Sequence, residues 1–206
     1  MRSIIKLLAA FALMLGTFMQ HSTALADYMI KYKVQTATAF FSSTDPSGCI
    51  VTSVSISTEE LFPSPPETAS GTWIGYEISR RDVCTETVLL DTEGSTTIAG
   101  SDFQVSSNLD TATLNTTLSV YDYVNETAFD VSINLTWTGT GRLTHQNYTF
   151  HHNTPDCHFN GHFNGPFRAA VASGTVSDGT TNFTREPSVE AAIGSSNSGS
   201  VSVDCD

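Results

Sequence analysis

The sequence has few basic residues, and this scarcity excludes several classes of partner. Lysine and arginine together number nine, against 21 aspartates and glutamates, in a chain of 206 residues. A protein that neutralises nucleic-acid phosphates or anionic lipid headgroups needs a basic surface, which this composition does not provide. We therefore expect no nucleic-acid partner and no attraction to anionic membranes.

Long hydrophobic runs are missing except near the N-terminus. Residues 1–26 combine Arg2 and Lys6 with an apolar run from Leu7 to Met19 and small residues just before Asp27. This pattern is typical of a secretory signal peptide, and its apolar run is shorter than the roughly 20 residues that span a bilayer. We expect a secreted, extracellular protein (periplasmic in a Gram-negative source), with no membrane insertion and a single β domain over 27–206.

Cysteine is also scarce, and all four copies lie after the predicted signal peptide, at Cys49, Cys84, Cys157 and Cys205. No C-x-x-C pair is present, which argues against a zinc knuckle or a thiol-redox site. An even number in an exported chain predicts two disulfides. Because short loops close most easily, we favour Cys49–Cys84 with Cys157–Cys205 and keep the other two pairings as alternatives.

A sustained helical period is absent after residue 26, and apolar and polar residues alternate instead. The alternation is clearest in 111–123 and 127–138, which the short link Val124-Asn125-Glu126 joins into a predicted long hairpin. Further runs of strand-forming residues lie near 28–35, 50–57, 71–79, 83–91, 95–106, 140–150, 167–176 and 200–205. We predict an all-β fold, a single antiparallel β-sandwich stapled by two disulfides, with a β-barrel as the alternative.

The common hydrolase signatures G-x-S-x-G and H-E-x-x-H are absent. The sequence therefore assigns no catalytic residue and favours a role other than enzyme.

Histidine is concentrated in one stretch, HHNTPDCHFNGHFNGPFR at 151–168. Two Asn-Gly dipeptides, at 160–161 and 164–165, favour turns. Our main interpretation is therefore a cysteine-anchored loop. The alternative is a zinc or copper site, whose ligands would come from five histidines: His145, His151, His152, His158 and His162. Calcium is less favoured, because no run matches its twelve-residue loop.

Two aromatic residues are candidates for a ligand-binding surface. Trp137 continues the apolar face of its strand and should lie in the core, whereas the alternation fixes Trp73 and Tyr123 less well. Five N-x-Ser/Thr sequons are candidate glycosylation sites, at Asn115, Asn125, Asn134, Asn147 and Asn182.

Three classes of function remain. The leading hypothesis is an extracellular binding module whose partner is a glycan, another protein or a surface, because loops and exposed aromatics on a rigid β scaffold commonly carry such a role. The second is a metal-binding protein or metalloenzyme that uses the histidines. The third is a structural or coat component.

Overall fold

A computed structural model describes residues 28–64, 71–153 and 157–205, and most of these residues are β-strand. The strands, in chain order, are β1 (Tyr28–Thr44), β2 (Ile50–Ser64), β3 (Gly71–Asp82), β4 (Thr87–Ile98), β5 (Phe103–Val105), β6 (Thr111–Asp122), β7 (Thr127–Gly139), β8 (Thr144–Asn153), β9 (Cys157–Ser177) and β10 (Ser188–Cys205). A single 3-10 turn at Gly100–Asp102 precedes β5. The prediction of an all-β fold is confirmed. The predicted signal peptide lies outside the described residues.

The strands form one antiparallel sheet rather than two stacked ones. The hydrogen-bonded order is β4-β3-β2-β1-β10-β9-β7-β6-β5, and β8 pairs with β9 beside this path. The sheet curls into a half-barrel. Twist accumulates along strands as long as β9, with 21 residues, and β10, with 18. One long sheet can therefore bury its own inner face, a task that a sandwich divides between two sheets.

The predicted hairpin is confirmed, and its apolar face forms part of the core. β6 and β7 pair without a bulge from Thr111 opposite Thr138 to Asp122 opposite Thr127. Their inward side chains are buried and join apolar residues of β1, β2, β3, β9 and β10 in one cluster. Trp137 is fully buried, and its Nε1 donates to the Thr38 carbonyl on β1 at 2.8 Å. This bond links strands far apart in the sheet order.

Residues 151–153 and 157–168 of the histidine-rich stretch are strand, so the loop predicted there is wrong. Both Asn-Gly dipeptides lie inside β9, whose first half pairs with β8 on one side and β10 on the other. Two ladders of main-chain hydrogen bonds outweigh a local preference for turns. Gly165 also has a packing role, because a Cβ there would overlap the Ser195 carbonyl of β10.

One disulfide, Cys49–Cys84, is present among the described residues, where two were expected. It joins the turn after β1 to the turn after β3 and closes a separation of 35 residues. A crosslink of this span stabilises by about 3–4 kcal/mol in the chain-entropy account.

Within the described ranges, no helix is long and apolar enough to cross a membrane.

The second disulfide stays a prediction, because the side chains of Cys157 and Cys205 lie outside those described. The backbone register does place these two residues directly opposite each other on β9 and β10. Directly opposed residues in an antiparallel pair have Cα atoms about 4.5–5.5 Å apart, within the range a disulfide accepts. We expect peptide mapping of the oxidised protein without reduction to yield a Cys157–Cys205 crosslink beside Cys49–Cys84. Free thiols or crossed pairs would contradict this assignment.

Candidate functional site

The two flanks of the curled sheet meet at a seam between β4 and the turn that joins β6 to β7. The Tyr123 N–H donates to the Asp91 carbonyl at 2.9 Å. The Asn125 side-chain amide donates to the Leu89 carbonyl at 3.2 Å. β4 and β6 are distant in the strand order, so these bonds hold the curl closed.

Asp122 is the central group of the seam. Its side chain is 3% exposed, and its carboxylate accepts hydrogen bonds from the Asn125 side chain and from the N–H groups of Val124 (2.9 Å) and Asp91 (3.3 Å). Burial alone raises the pKa of Asp122, but these hydrogen bonds favour the ionised form and hold the pKa below its ordinary value. The carboxylate thus stabilises its own turn and attaches that turn to β4.

The turn at 122–127 has a counterpart at 82–87, and both read D-x-x-x-E-T. The Asp82 carboxylate accepts hydrogen bonds from the N–H groups two and three residues further on, at 2.9 and 3.0 Å. The glutamates, Glu86 and Glu126, have positive φ angles of 58° and 54°. The spacing of this repeat is visible in the sequence and is a signal for two equivalent turns. Asp122 differs from Asp82 because it also reaches a second strand.

Exposed apolar side chains gather at the seam and form a tyrosine patch, defined as Leu89, Tyr121, Tyr123 and Val124. The rings of Tyr121 and Tyr123 lie edge to face, with centroids 5.5 Å apart. Tyr121 is 45% exposed and Tyr123 is 57% exposed. Burial raises the pKa of Tyr76, and the electrostatic effect of the neighbouring Tyr123 raises it further. The Tyr76 hydroxyl therefore lies near the patch.

Trp73, the other predicted ligand-binding aromatic, is 9% exposed and is held within β3. Its register partner on β2 is Glu59. Burial raises the pKa of the Glu59 carboxyl to about 8, so this group is largely protonated at neutral pH. Nothing in the local sequence distinguishes Glu59 from the adjacent Glu60. The structure therefore separates the two predicted aromatics, one buried and one on the surface.

The β8–β9 register brings some of the predicted metal ligands to a common face. His151 lies opposite Asn160 and hydrogen-bonds to it, and His158 and His162 lie two residues to either side of Asn160. All three histidines are exposed. Diagonal neighbours across an antiparallel pair are about 7–8 Å apart, so His151 lies between the other two.

The five histidines do not converge as one ligand set among the described side chains. His145 is opposite Pro166, distant along the ladder from His158. The side chain of His152 lies outside those described. Within the described residues, one group of three potential metal ligands has its ligand atoms within 4.8 Å of one another: Cys49, Asp82 and Cys84. The sulfurs of Cys49 and Cys84 are already joined in the disulfide.

All five sequon asparagines are exposed. Asn115 and Asn134 face each other across β6 and β7, where two attached glycans would crowd each other. Asn125 donates to Asp122 and Leu89 at the seam, so glycosylation there would remove bonds that hold the curl. Glycosylation of any of these sites stays a prediction.

No protein-family model matches the chain, and no curated protein matches it significantly. Among solved structures, a crystal structure from Nitrosomonas europaea with the provisional description AttH matches over 85% of this chain and 50% of that one. The TM-score is 0.30 and the sequence identity is 10%. This chain thus spans about half the length of that protein, and the likeness is too low to assign a family or an activity.

The seam makes a prediction about acid stability. We expect Asp122→Asn to lower the free energy of unfolding at pH 7 by about 2–3 kcal/mol, because hydrogen bonds to a charged, buried acceptor are lost. The folded pKa of Asp122 is depressed, so its contribution is present above the unfolded value of about 3.9 and is lost as pH falls through the folded pKa. Urea unfolding from pH 7 to pH 3 measures both effects.

Asp82→Asn is the matched control, because the Asp82 carboxylate caps the equivalent turn and, among the described residues, accepts no hydrogen bond from another strand. We expect a smaller loss at pH 7 for this variant. Equal losses for the two substitutions would show that the cross-strand bond contributes nothing measurable.

Proposed function

We propose that the protein is an exported binding module that recognises a neutral glycan through the tyrosine patch. The observation that carries this proposal is the exposed, edge-to-face pair of Tyr121 and Tyr123 on a turn fixed by a buried carboxylate. A disulfide is typical of exported proteins and is compatible with an extracellular or periplasmic location.

The chemistry of the patch suits a sugar ring. A tyrosine ring packs against the apolar C–H face of a sugar, while its hydroxyl remains free to hydrogen-bond. Asp91, whose carbonyl bonds to the Tyr123 N–H, and Glu126, three residues after Tyr123 in the same turn, are exposed, so their carboxylates are available as acceptors for sugar hydroxyls. These carboxylates repel an anionic ligand, which favours a neutral glycan over an acidic one.

The rigidity of the turn also supports binding. Tyr123 is held through its backbone to Asp91, and the next residue donates its N–H to Asp122. A surface that is already ordered loses little conformational entropy when a ligand binds.

Titration of the oxidised protein with a panel of neutral oligosaccharides, followed by NMR and calorimetry, tests this function. We expect one class to shift the signals of Tyr121 and Tyr123. Tyr123→Ala should weaken its binding about threefold to tenfold, the usual contribution of one aromatic contact.

Phe62→Ala is the matched control, because Phe62 is an aromatic residue of similar exposure, 42%, on the distant strand β2. It should bind like the unmodified protein. Equal weakening by both substitutions, or no response to any glycan, would contradict the proposal and would leave a protein or surface partner, metal binding, or a structural or coat role.

A second candidate function is zinc or copper binding by His151 together with His158 or His162. It is supported by the register, which puts these three exposed residues on one face of β8 and β9. Imidazole is a preferred ligand of both metals, and His151 lies diagonally, about 7–8 Å, from each of the other two histidines. His158 and His162 are about 13 Å apart along β9, so only one of them can share an ion with His151. This smaller set replaces the five-ligand site predicted from the sequence.

Metal titration of chelator-treated protein tests the second candidate. We expect metal binding that shifts the imidazole signals of His151 and of one diagonal partner, and a loss of about tenfold or more in affinity for His151→Ala. His145→Ala is the control and should bind normally. Binding that tolerates His151→Ala, or no binding, would contradict the assignment.

A further inference from the structure

A polar pocket of about 190 Å³ lies at the end of the sheet that carries the Cys49–Cys84 disulfide. It is formed by the end of β1, the start of β2, the end of β3 and the segment between β9 and β10. Its polar lining includes the side chains of Ser43, Asp45, Thr52, Arg80, Thr181 and Arg185. The volume suits one small group rather than an extended ligand.

Arg80 contributes a guanidinium with an unused donor. It lies on β3 opposite Thr52 of β2 and Leu90 of β4. Its Nε is buried and has no hydrogen-bond partner among the described residues. An unpaired donor on a charged group is costly in a folded protein, so we expect a bound water or a ligand group to satisfy it.

Asp45 lines the pocket, but its carboxylate is occupied by its own turn. It accepts hydrogen bonds from the Ile50 N–H at 2.9 Å and from the Ser47 hydroxyl at 2.8 Å. The hydrogen bonds from Ile50 and Ser47 lower the pKa of Asp45, so the group is ionised at neutral pH.

Asp178 is similarly engaged. Its carboxylate accepts hydrogen bonds from the N–H groups of Thr180 and Thr181 at 2.8 and 2.6 Å. Burial alone raises the pKa of Asp178, but the Thr181 and Thr180 donors outweigh burial, and the nearby Arg80 adds to the lowering. The ion pair found among the described residues is elsewhere, between Arg168 and Asp110.

Arg185 supplies the second guanidinium. It follows the isolated bridge between Ser177 and Asn182, is exposed, and lines the same pocket although it is more than a hundred residues from Arg80 in sequence. Two arginines in one pocket are notable in a chain with so few basic residues.

We propose that this pocket binds the carboxylate of a small ligand, supplied either by a free organic acid or by an acidic sugar. A guanidinium matches a planar carboxylate with two parallel hydrogen bonds. The hydroxyls of Ser43, Thr52 and Thr181 offer further donors. The negative charges of Asp45 and Asp178 disfavour a doubly charged phosphate more than a singly charged carboxylate. The proposal does not rest on glycan binding at the tyrosine patch.

The experiment is an NMR titration of the oxidised, isotope-labelled protein with acetate, glucuronate, glucose and inorganic phosphate at constant ionic strength. We expect acetate, glucuronate or both to shift the Arg80 Nε–Hε signal, and glucose and phosphate to leave it unchanged. A response to acetate identifies a free acid as sufficient, and a response to glucuronate alone identifies the acidic sugar.

Arg185→Gln tests the pocket without disturbing a buried residue, and Arg81→Gln is its control, because Arg81 is exposed and does not line the pocket. We expect Arg185→Gln to weaken carboxylate binding about tenfold or more, the usual effect of losing a charge-assisted pair. Arg81→Gln should bind normally. The proposal is overturned if neither carboxylate binds, if phosphate alone binds, or if the two variants bind equally.

Discussion

A sheet that curls into a half-barrel has two edges, and in this protein hydrogen bonds accepted by one buried carboxylate help to hold the two flanks together. Asp122 accepts donors from its own turn and from Asp91 on β4. The Trp137 indole adds a bond from β7 to β1 inside the curl. Without these contacts, only the curvature of the sheet would shield its inner face from solvent. The apolar cluster and the order of the tyrosine patch both depend on the closed arrangement.

The candidate surfaces lie where strands end and turns begin. The tyrosine patch lies at the β6–β7 turn. The polar pocket that contains Arg80 and Arg185 lies on the segments near the disulfide. At both places aspartate carboxylates stabilise the turn by accepting hydrogen bonds from backbone N–H groups. Some of the acidic residues therefore serve to stabilise turns. In so acidic a chain, the presence of Arg80 and Arg185 in one pocket is unusual. Rigid turns on a β scaffold are suited to ligand binding because the side chains they present are ordered beforehand.

The sequence predicted those elements whose local pattern agrees with their final environment. The β6–β7 hairpin has unbroken alternation and a polar link, and it forms as expected. The 160–165 segment was misread because Asn-Gly favours a turn locally, whereas ladders on both sides of β9 keep it extended. Predicted strands near 83–91 and 95–106 shift for a related reason, since β4 runs continuously through 91–95.

The candidate site was predictable only in part. The two-residue alternation predicts which side chains share a face of the sheet. It cannot predict that Trp73 is buried while Tyr123 is exposed, because burial depends on packing between segments that are distant in sequence. Arg80 and Arg185 meet only through the fold. The D-x-x-x-E-T repeat, by contrast, was present in the sequence and indicated two equivalent turns.

Amide hydrogen exchange at Tyr123 tests the central claim most directly, because its N–H bonds across the seam to the Asp91 carbonyl. If the two flanks are joined as described, this amide exchanges as slowly as the central amides of the β6–β7 ladder. If it exchanges at the rate of an exposed turn amide, the seam is open in solution and the account of the closed curl is wrong.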